Sequence, residues 1–384
     1  NENKDNLTLI YDWVSKNLIK SMSIKNFRSI MYSFLDSGII DINKYFKMTD
    51  SFYIHSLFLN NGEFFGASGQ NLIKFTKMYS QAKYGSYKDI EFFSNILYKY
   101  MVAELQNKNS HWYIFFENVK KNNEKVVLLT TGWRSAPSTA NILFEIFSKN
   151  LNVWLALKNY PTIINVKLPR LALPCENYAS LSEMERISIS KNRDHIIPAS
   201  NFFASSNVNI IFGDDIFITG STADKLQLEC IQNGAKSFKS LYLAILNPLD
   251  AFIDPSLEEY LNKKFITEDL NDDVANLLNY KYFTPVLRTL RLIFDRKNFI
   301  QLPSFLPKVK NTVWLSIYIS SLNNDFHLEE NCKPSIELLK KYLNDATSNK
   351  EEKLIKKYFS EGNVAPHLKK YESLFGYFST SSNE

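Results

Sequence analysis

The segment Asn209-Ile210-Ile211-Phe212-Gly213-Asp214-Asp215-Ile216-Phe217-Ile218-Thr219-Gly220-Ser221-Thr222 constrains the fold of this chain more than any other. Residues 208–212 form a short run of β-branched and aromatic side chains bounded by a glycine, which reads as a buried strand. Two adjacent carboxylates, Asp214 and Asp215, close that run. A Thr219-Gly220-Ser221-Thr222 turn follows, then a helix over 223–233 whose Asn233-Gly234 end suits a left-handed cap. A strand, an acid pair, a small-residue turn and a helix in this order place acid groups beside a nest of backbone N–H donors at one strand end.

The flanking sequence repeats the alternation. Residues 126–130 read as a strand, 132–137 as a loop, 138–147 as an amphipathic helix capped by Ser138, and 163–167 as a second strand. A polar stretch, 168–207, is broken by Pro169, Pro174 and Pro198 and is long enough for a flap or a small subdomain. Residues 241–246 form a further strand. Strands alternating with helices predict an α/β fold with a doubly wound, mainly parallel sheet. In such sheets ligands sit at the carboxyl ends of the strands, where Asp214, Asp215 and the loop 131–135 should meet.

The ends of the chain read differently. Residues 7–60 are helical in pattern, with Ile10, Trp13, Val14 and Leu18 on one face. Gly62, Gly66 and Gly69 suggest loops, and 72–105 is helical again through Ile90, Phe93, Leu97 and Met101, with a break at Lys83-Tyr84-Gly85. Beyond Asp250 helices dominate (277–278, 286–294, 336–343, 354–359), with one strand expected at 313–319, a loop at 344–352 and a frayed Ser/Asn tail. The division expected is a helical N-terminal extension at 1–70, an α/β core at 71–250 that includes the flap, and a mostly helical C-terminal region at 251–384. The last would serve as a hood, a subunit interface or a partner surface.

Charge and cysteine content exclude several classes. The 45 basic and 40 acidic residues leave a formal charge of +5, too mild and too evenly spread to indicate nucleic acid. Cys175, Cys230 and Cys332 lack the spacing of a zinc site or a disulfide framework. No apolar run reaches about 18 residues and no charged-then-apolar leader opens the sequence, so the expectation is a cytoplasmic setting without a membrane partner. The sequence opens at Asn1 rather than Met, which leaves room for a few preceding residues. His55, His111, His327 and His367 lack metal-ligand spacing, and there is no GxSxG, HExxH or Walker loop.

The chemistry therefore rests on the first segment. Backbone N–H groups and hydroxyls of Thr219, Gly220, Ser221 and Thr222, with the positive end of the following helix, can wrap a phosphate. Gly220 allows close backbone approach. Asp214 and Asp215, ionised at neutral pH, can accept hydrogen bonds from sugar hydroxyls, directly or through a metal ion held by water or ligand.

In register, this string resembles the signature of type I phosphoribosyltransferases. The resemblance implies that Asp214 and Asp215 hold the ribose hydroxyls of 5-phosphoribosyl-1-pyrophosphate (PRPP), and that residues Thr219 to Thr222 hold its 5′-phosphate. It also implies a diphosphate loop, to which Thr131-Gly132-Trp133-Arg134-Ser135 corresponds, with Arg134 as the charge-assisted contact. The slot of the family's mobile flap is filled by 168–207. There Lys191-Asn192-Arg193-Asp194-His195 is similar to the Lys-x-Asp-His loop of orotate phosphoribosyltransferases: Lys191 and Arg193 would face the departing diphosphate and His195 would deliver a proton. In 6-oxopurine members the position of Ile218 is an aspartate that accepts the base's proton, so that substrate class is disfavoured here.

The implied activity is transfer of ribose 5-phosphate from PRPP, with Mg²⁺, to an acceptor, as in nucleotide metabolism. One rival is a non-catalytic regulator that senses PRPP or a nucleotide. Another is an effector, for example in phage defence, that uses the site on an unusual acceptor; in each reading the extensions could serve a homo-oligomer or a protein partner. A PRPP synthetase would show duplicated halves, and none is present.

Overall fold

A computed structural model describes residues 50–60, 62–169, 200–204, 207–218, 220–247, 250–251, 254, 256–267 and 269–345. The N-terminal helical reading up to residue 49, the segment holding Lys191, Arg193 and His195, and the helix expected at 354–359 lie outside the described residues. The described chain divides into two units. One takes in the residues up to Ser80, Asp89–Trp133 and Thr139–Phe265; the other takes in Gln81–Lys88, Arg134–Ser138 and the residues from Ile266 onward.

The first unit is built on a six-stranded sheet: β1 (Ser51–Asn60), β2 (Glu63–Phe65), β3 (Lys125–Trp133), β4 (Ile163–Pro169), β5 (Val208–Phe217) and β6 (Ser237–Leu246), in the order β2-β1-β6-β5-β3-β4. Every pairing is parallel except β1 with β2. Helices α1 (Ile73–Lys83), α2 (Tyr87–Gln106) and α3 (His111–Lys121) precede β3. Helix α4 (Thr139–Leu157) links β3 to β4, α5 (Ser200–Ala204) precedes β5, and α6 (Ser221–Gln232) links β5 to β6; α7 (Leu257–Asn262) follows. This is the doubly wound, mainly parallel α/β sheet that the sequence predicts. Strands β5 and β6 are buried along almost their whole length, as central parallel strands covered on both faces must be.

Two segments correct the sequence reading. Residues 51–60 are a strand, not the end of a helical extension. The run Phe52-Tyr53-Ile54-His55-Ser56-Leu57-Phe58 is aromatic and β-branched, and pairing with β6 decides what a weak helical period could not. Residues 313–319 belong to a helix, Asn311–Leu322, in which Trp314, Leu315, Ile317, Tyr318 and Ser321 are buried. A short apolar run buried on most sides has no period that separates strand from helix.

The second unit is helical. It contains α8 (Asp272–Leu278), α9 (Leu287–Phe294), α10 (Leu302–Phe305), α11 (Asn311–Leu322) and α12 (Lys333–Asp345), packed through Leu290, Ile293, Phe294, Trp314, Phe326 and Leu339. Trp314 donates its indole N–H to the Leu306 carbonyl at 2.8 Å, so the buried ring leaves no polar atom unsatisfied. The Lys83-Tyr84-Gly85 motif is the break between α1 and α2. Gly85 has φ of 92°, and a Cβ there would lie 2.5 Å from the Thr284 carbonyl oxygen. Only glycine meets both conditions.

At the amino ends of the strands, Glu124 ties three of them together. It pairs with Lys236 at 2.7 Å and accepts from Asn209 Nδ2 at 2.8 Å, while Ser237 donates to Asn209 Oδ1 at 2.7 Å. Burial pushes the Glu124 carboxyl up, but hydrogen bonds from Lys236 and Asn209 and the Lys236 charge win, and its pKa lies below the ordinary glutamate value. A depressed folded-state pKa contributes stability that is present above the unfolded value, near 4.5, and is lost as pH falls through the folded one. Glu124→Gln should therefore lower the denaturation midpoint at pH 7 and narrow the gap between pH 7 and pH 3, measured by urea unfolding. A second expectation concerns Gly213, where a Cβ would sit 2.6 Å from the Phe144 ring of α4. Gly213→Ala should cost about 1–3 kcal/mol in the same measurement.

Candidate active site

The chain runs from β3 to the sheet edge at β4 and then returns to β5 on the other side of β3. Strands β3 and β5 are thus the place where winding reverses, and ligands of such sheets bind between the carboxyl ends of those two strands. The pairing of β3 with β5 runs from Lys125↔Val208 to Leu129↔Phe212. Past Phe212, β5 continues against β6 alone among the described strands, through Asp214↔Tyr242 and Phe217↔Ile245. The acid pair lies inside that extension of β5, not at the end of a strand that stops at Phe212.

Neighbours on a strand face opposite ways, and the two acids have different surroundings. Asp215 is 5% exposed; its Oδ2 accepts from the Tyr79 hydroxyl of α1 at 3.2 Å and its Oδ1 from the Ile216 N–H at 3.0 Å. Asp214 is half-buried, with Oδ1 accepting from the Asp215 N–H at 2.9 Å. Between the two, Asp214 is the more accessible to a ligand. Tyr242 is buried beside the Phe212 and Phe217 rings. Burial pushes its hydroxyl above the ordinary tyrosine range; the hydrogen bond with Ser240 opposes this and the charges of Asp214 and Asp224 add to it.

The turn after β5 enters α6 through Gly220, whose φ is 72° and whose carbonyl accepts from the Asp224 N–H at 2.9 Å. Gly220 has no side chain with which to cap the helix, so it presents only backbone at the positive end of a 12-residue helix. A Cβ on Gly220 would come within 2.8 Å of the Phe217 ring. Ser221 opens α6 and Thr222 is half-buried behind it, while Thr219 lies outside the described residues. Ile218 is 7% exposed and offers no proton acceptor.

At the end of β3, Thr130 and Thr131 are held by Asn141 from the first turn of α4, at 2.9 Å to Thr130 Oγ1 and 3.1 Å to the Thr131 carbonyl. Gly132 has φ of 75°, and pairing with β4 is irregular between Thr130 and Trp133 before resuming at Trp133↔Pro169. The Trp133 ring carries the Lys167 ammonium 4.5 Å from its centre. Beyond it, in the helical unit, Arg134 donates to Asp325 at 3.2 Å, Ala136 N–H donates to Asn324 Oδ1 at 3.3 Å, and Ser135 is exposed. Sequence reasoning did not single out Tyr79 or Asn141. An amide among Ala140, Leu143, Phe144 and Phe147 on a buried helix face was the available signal for Asn141; an aromatic on the apolar face of α1 gave none for Tyr79.

Comparison with known proteins matches residues 68–339 to the family described as PRTase ComF-like (PRTase, phosphoribosyltransferase), well over half of the chain. The chain belongs to that family. It therefore carries a type I phosphoribosyltransferase domain, and β5 with its acid-and-turn segment lies inside the matched residues. The description "Anti-sigma factor, N-terminal domain" matches residues 336–384, of which the described part ends at Asp345. Curated proteins give no match. Among solved structures, a hypoxanthine phosphoribosyltransferase variant from Trypanosoma cruzi in complex with IMP aligns at 11% identity and TM-score 0.25, over 42% of this chain and 66% of that one. A purine phosphoribosyltransferase from Pyrococcus horikoshii aligns at 12% identity and TM-score 0.19, over 35% of this chain and 79% of that one. The assignment rests on the family match.

The donor set at this site is oxygen alone, and among the described residues no three His, Cys, Asp or Glu side chains cluster to hold a metal. A hard cation that keeps its waters and takes most of its ligands from a diphosphate fits such a site, and Mg²⁺ is such a cation. With Asp214 and Asp224 both near the turn, an anionic ligand gains from arriving with a cation. Tyr79→Phe removes one donor from a buried carboxylate and should cost about 1.5–3 kcal/mol of stability at pH 7 in denaturant unfolding.

Proposed function

We propose that this protein is a phosphoribosyltransferase: it binds PRPP with Mg²⁺ and transfers ribose 5-phosphate to an acceptor with release of diphosphate. The observation that carries this reading is the placement of Asp214 on the carboxyl-end extension of β5, with the Gly220 turn following directly after that strand. Asp214 accepts hydrogen bonds from the ribose hydroxyls. Asp215 supports that grip from beneath, fixed by Tyr79 and the Ile216 N–H. Thr219, Gly220, Ser221 and Thr222 surround the 5′-phosphate with N–H donors and hydroxyls. Thr131, Gly132, Trp133, Arg134 and Ser135 serve the diphosphate, and Lys191, Arg193 and His195 serve the leaving group from the 168–207 segment.

The acceptor's lone pair forms a bond to ribose C1 as the C1–O bond to diphosphate breaks, and the diphosphate leaves with the electron pair. Bound Mg²⁺ supplies charge neutralisation on the diphosphate. The protein's own contribution is positioning and electrostatic, since the transition state resembles an oxocarbenium ion and asks for little covalent chemistry. Ile218 places an apolar group where 6-oxopurine enzymes need an acceptor, which disfavours hypoxanthine, guanine and xanthine as acceptors.

One observation favours a second reading, a sensor that binds PRPP or a nucleotide without turnover. Arg134, the cation expected on the diphosphate, is paired with Asp325. The test incubates the protein with labelled PRPP, Mg²⁺ and a panel of bases and follows diphosphate release. Release with one base, lost in Asp214→Asn, supports the transferase; binding without release supports the sensor. Gly220→Ala should weaken PRPP binding tenfold or more, on the order of 1.4 kcal/mol. Wild-type protein that shows no heat of PRPP binding in calorimetry would end both readings.

A further inference from the structure

We infer that Asn141 is the positioning residue that aims a backbone N–H of the β3–α4 loop at the diphosphate end of the ligand. The inference rests on the proposed function and adds a residue to it. Asn141 is fully buried in the first turn of α4, on the face that carries Ala140, Leu143, Phe144 and Phe147. An amide in such a place costs stability unless its polar atoms are bonded, so a leucine would be the cheaper occupant if packing were all that mattered. Its nitrogen has two hydrogens, and the two acceptors found are the hydroxyl of fully buried Thr130, at 2.9 Å, and the carbonyl of Thr131, at 3.1 Å.

The second bond fixes the orientation of a whole peptide group. The described peptide bonds are all trans, and in a planar trans peptide the N–H lies opposite the C=O. With the Thr131 carbonyl turned toward α4, the Gly132 N–H is turned away from it, at the carboxyl end of β3 where winding reverses. Gly132 then takes φ of 75° and the strand rejoins β4 at Trp133, so the loop is bent about this one peptide. A backbone donor held in that orientation before the ligand arrives needs no reorganisation to meet an anion, which is how fixed donors gain strength over mobile ones. The first half of the loop is thus set by a side chain outside the motif itself.

The test measures two probes by calorimetry: inorganic diphosphate with Mg²⁺, and ribose 5-phosphate, which lacks the diphosphate. In Asn141→Leu, which removes both donors at nearly constant volume, diphosphate affinity should fall tenfold or more while ribose 5-phosphate affinity stays within twofold. Should that variant fail to fold, Asn141→Ser, too short to reach the Thr131 carbonyl, carries the same expectation. Thr130→Val supplies the control, because it removes the other partner of Asn141 and leaves the peptide lock. It should lower the urea midpoint yet keep diphosphate affinity within twofold. Equal diphosphate affinity in wild type and Asn141→Leu, or equal losses in Asn141→Leu and Thr130→Val, would overturn the inference and leave the proposed function standing. Wild type that binds ribose 5-phosphate but not diphosphate would overturn it too, and binding of neither probe would remove the proposed function with it.

Discussion

The parting of two parallel strands governs the rest of this molecule. Strands β3 and β5 are hydrogen-bonded neighbours up to Leu129 and Phe212, after which β3 bends at Gly132 and β5 goes on beside β6. Backbone groups past the parting lose a strand partner and must be satisfied in some other way. Part of the answer is local, since Asp214 and Asp215 each accept from the next residue's N–H. The carboxylates so placed are not ornaments on a strand end; they contribute to the strand's own hydrogen bonding.

Two buried polar side chains from flanking helices then specify the geometry. Tyr79 reaches Asp215 from α1, and Asn141 reaches Thr130 and Thr131 from α4. Each stands on a helix face that is otherwise apolar. Buried polar groups of this kind are costly when half satisfied and rigidifying when satisfied. They also assign unlike duties to two adjacent acids: one is locked against the protein, and the other retains access.

Much of this architecture was legible in the sequence because it is local. The strand, acid pair, turn and helix from 208 to 233 lie in one continuous run, and the alternation from 126 to 246 dictates a parallel sheet without any knowledge of contacts. What the sequence hid was decided by tertiary pairing. Residues 51–60 become a strand only because β6 offers an open edge, and 313–319 becomes helical because its apolar run is enclosed rather than faced. The extension of β5 past Phe212 was hidden for the same reason, since Gly213 reads as a strand stop until Phe144 is seen to pack where its side chain would be. The partner of Arg134 was equally out of reach, because Asp325 lies 191 residues away.

The Glu124, Asn209, Lys236 and Ser237 network stands at the opposite pole of the sheet from the parting. Its members come from the segments that open β3, β5 and β6, so those strands are stapled at their feet. A sheet fastened in this way can tolerate change at its head. Loops at the carboxyl pole can then be rewritten, by divergence or by a protein engineer, for a different ligand without forfeiting the scaffold. The carboxyl pole is therefore more evolvable than the scaffold that carries it.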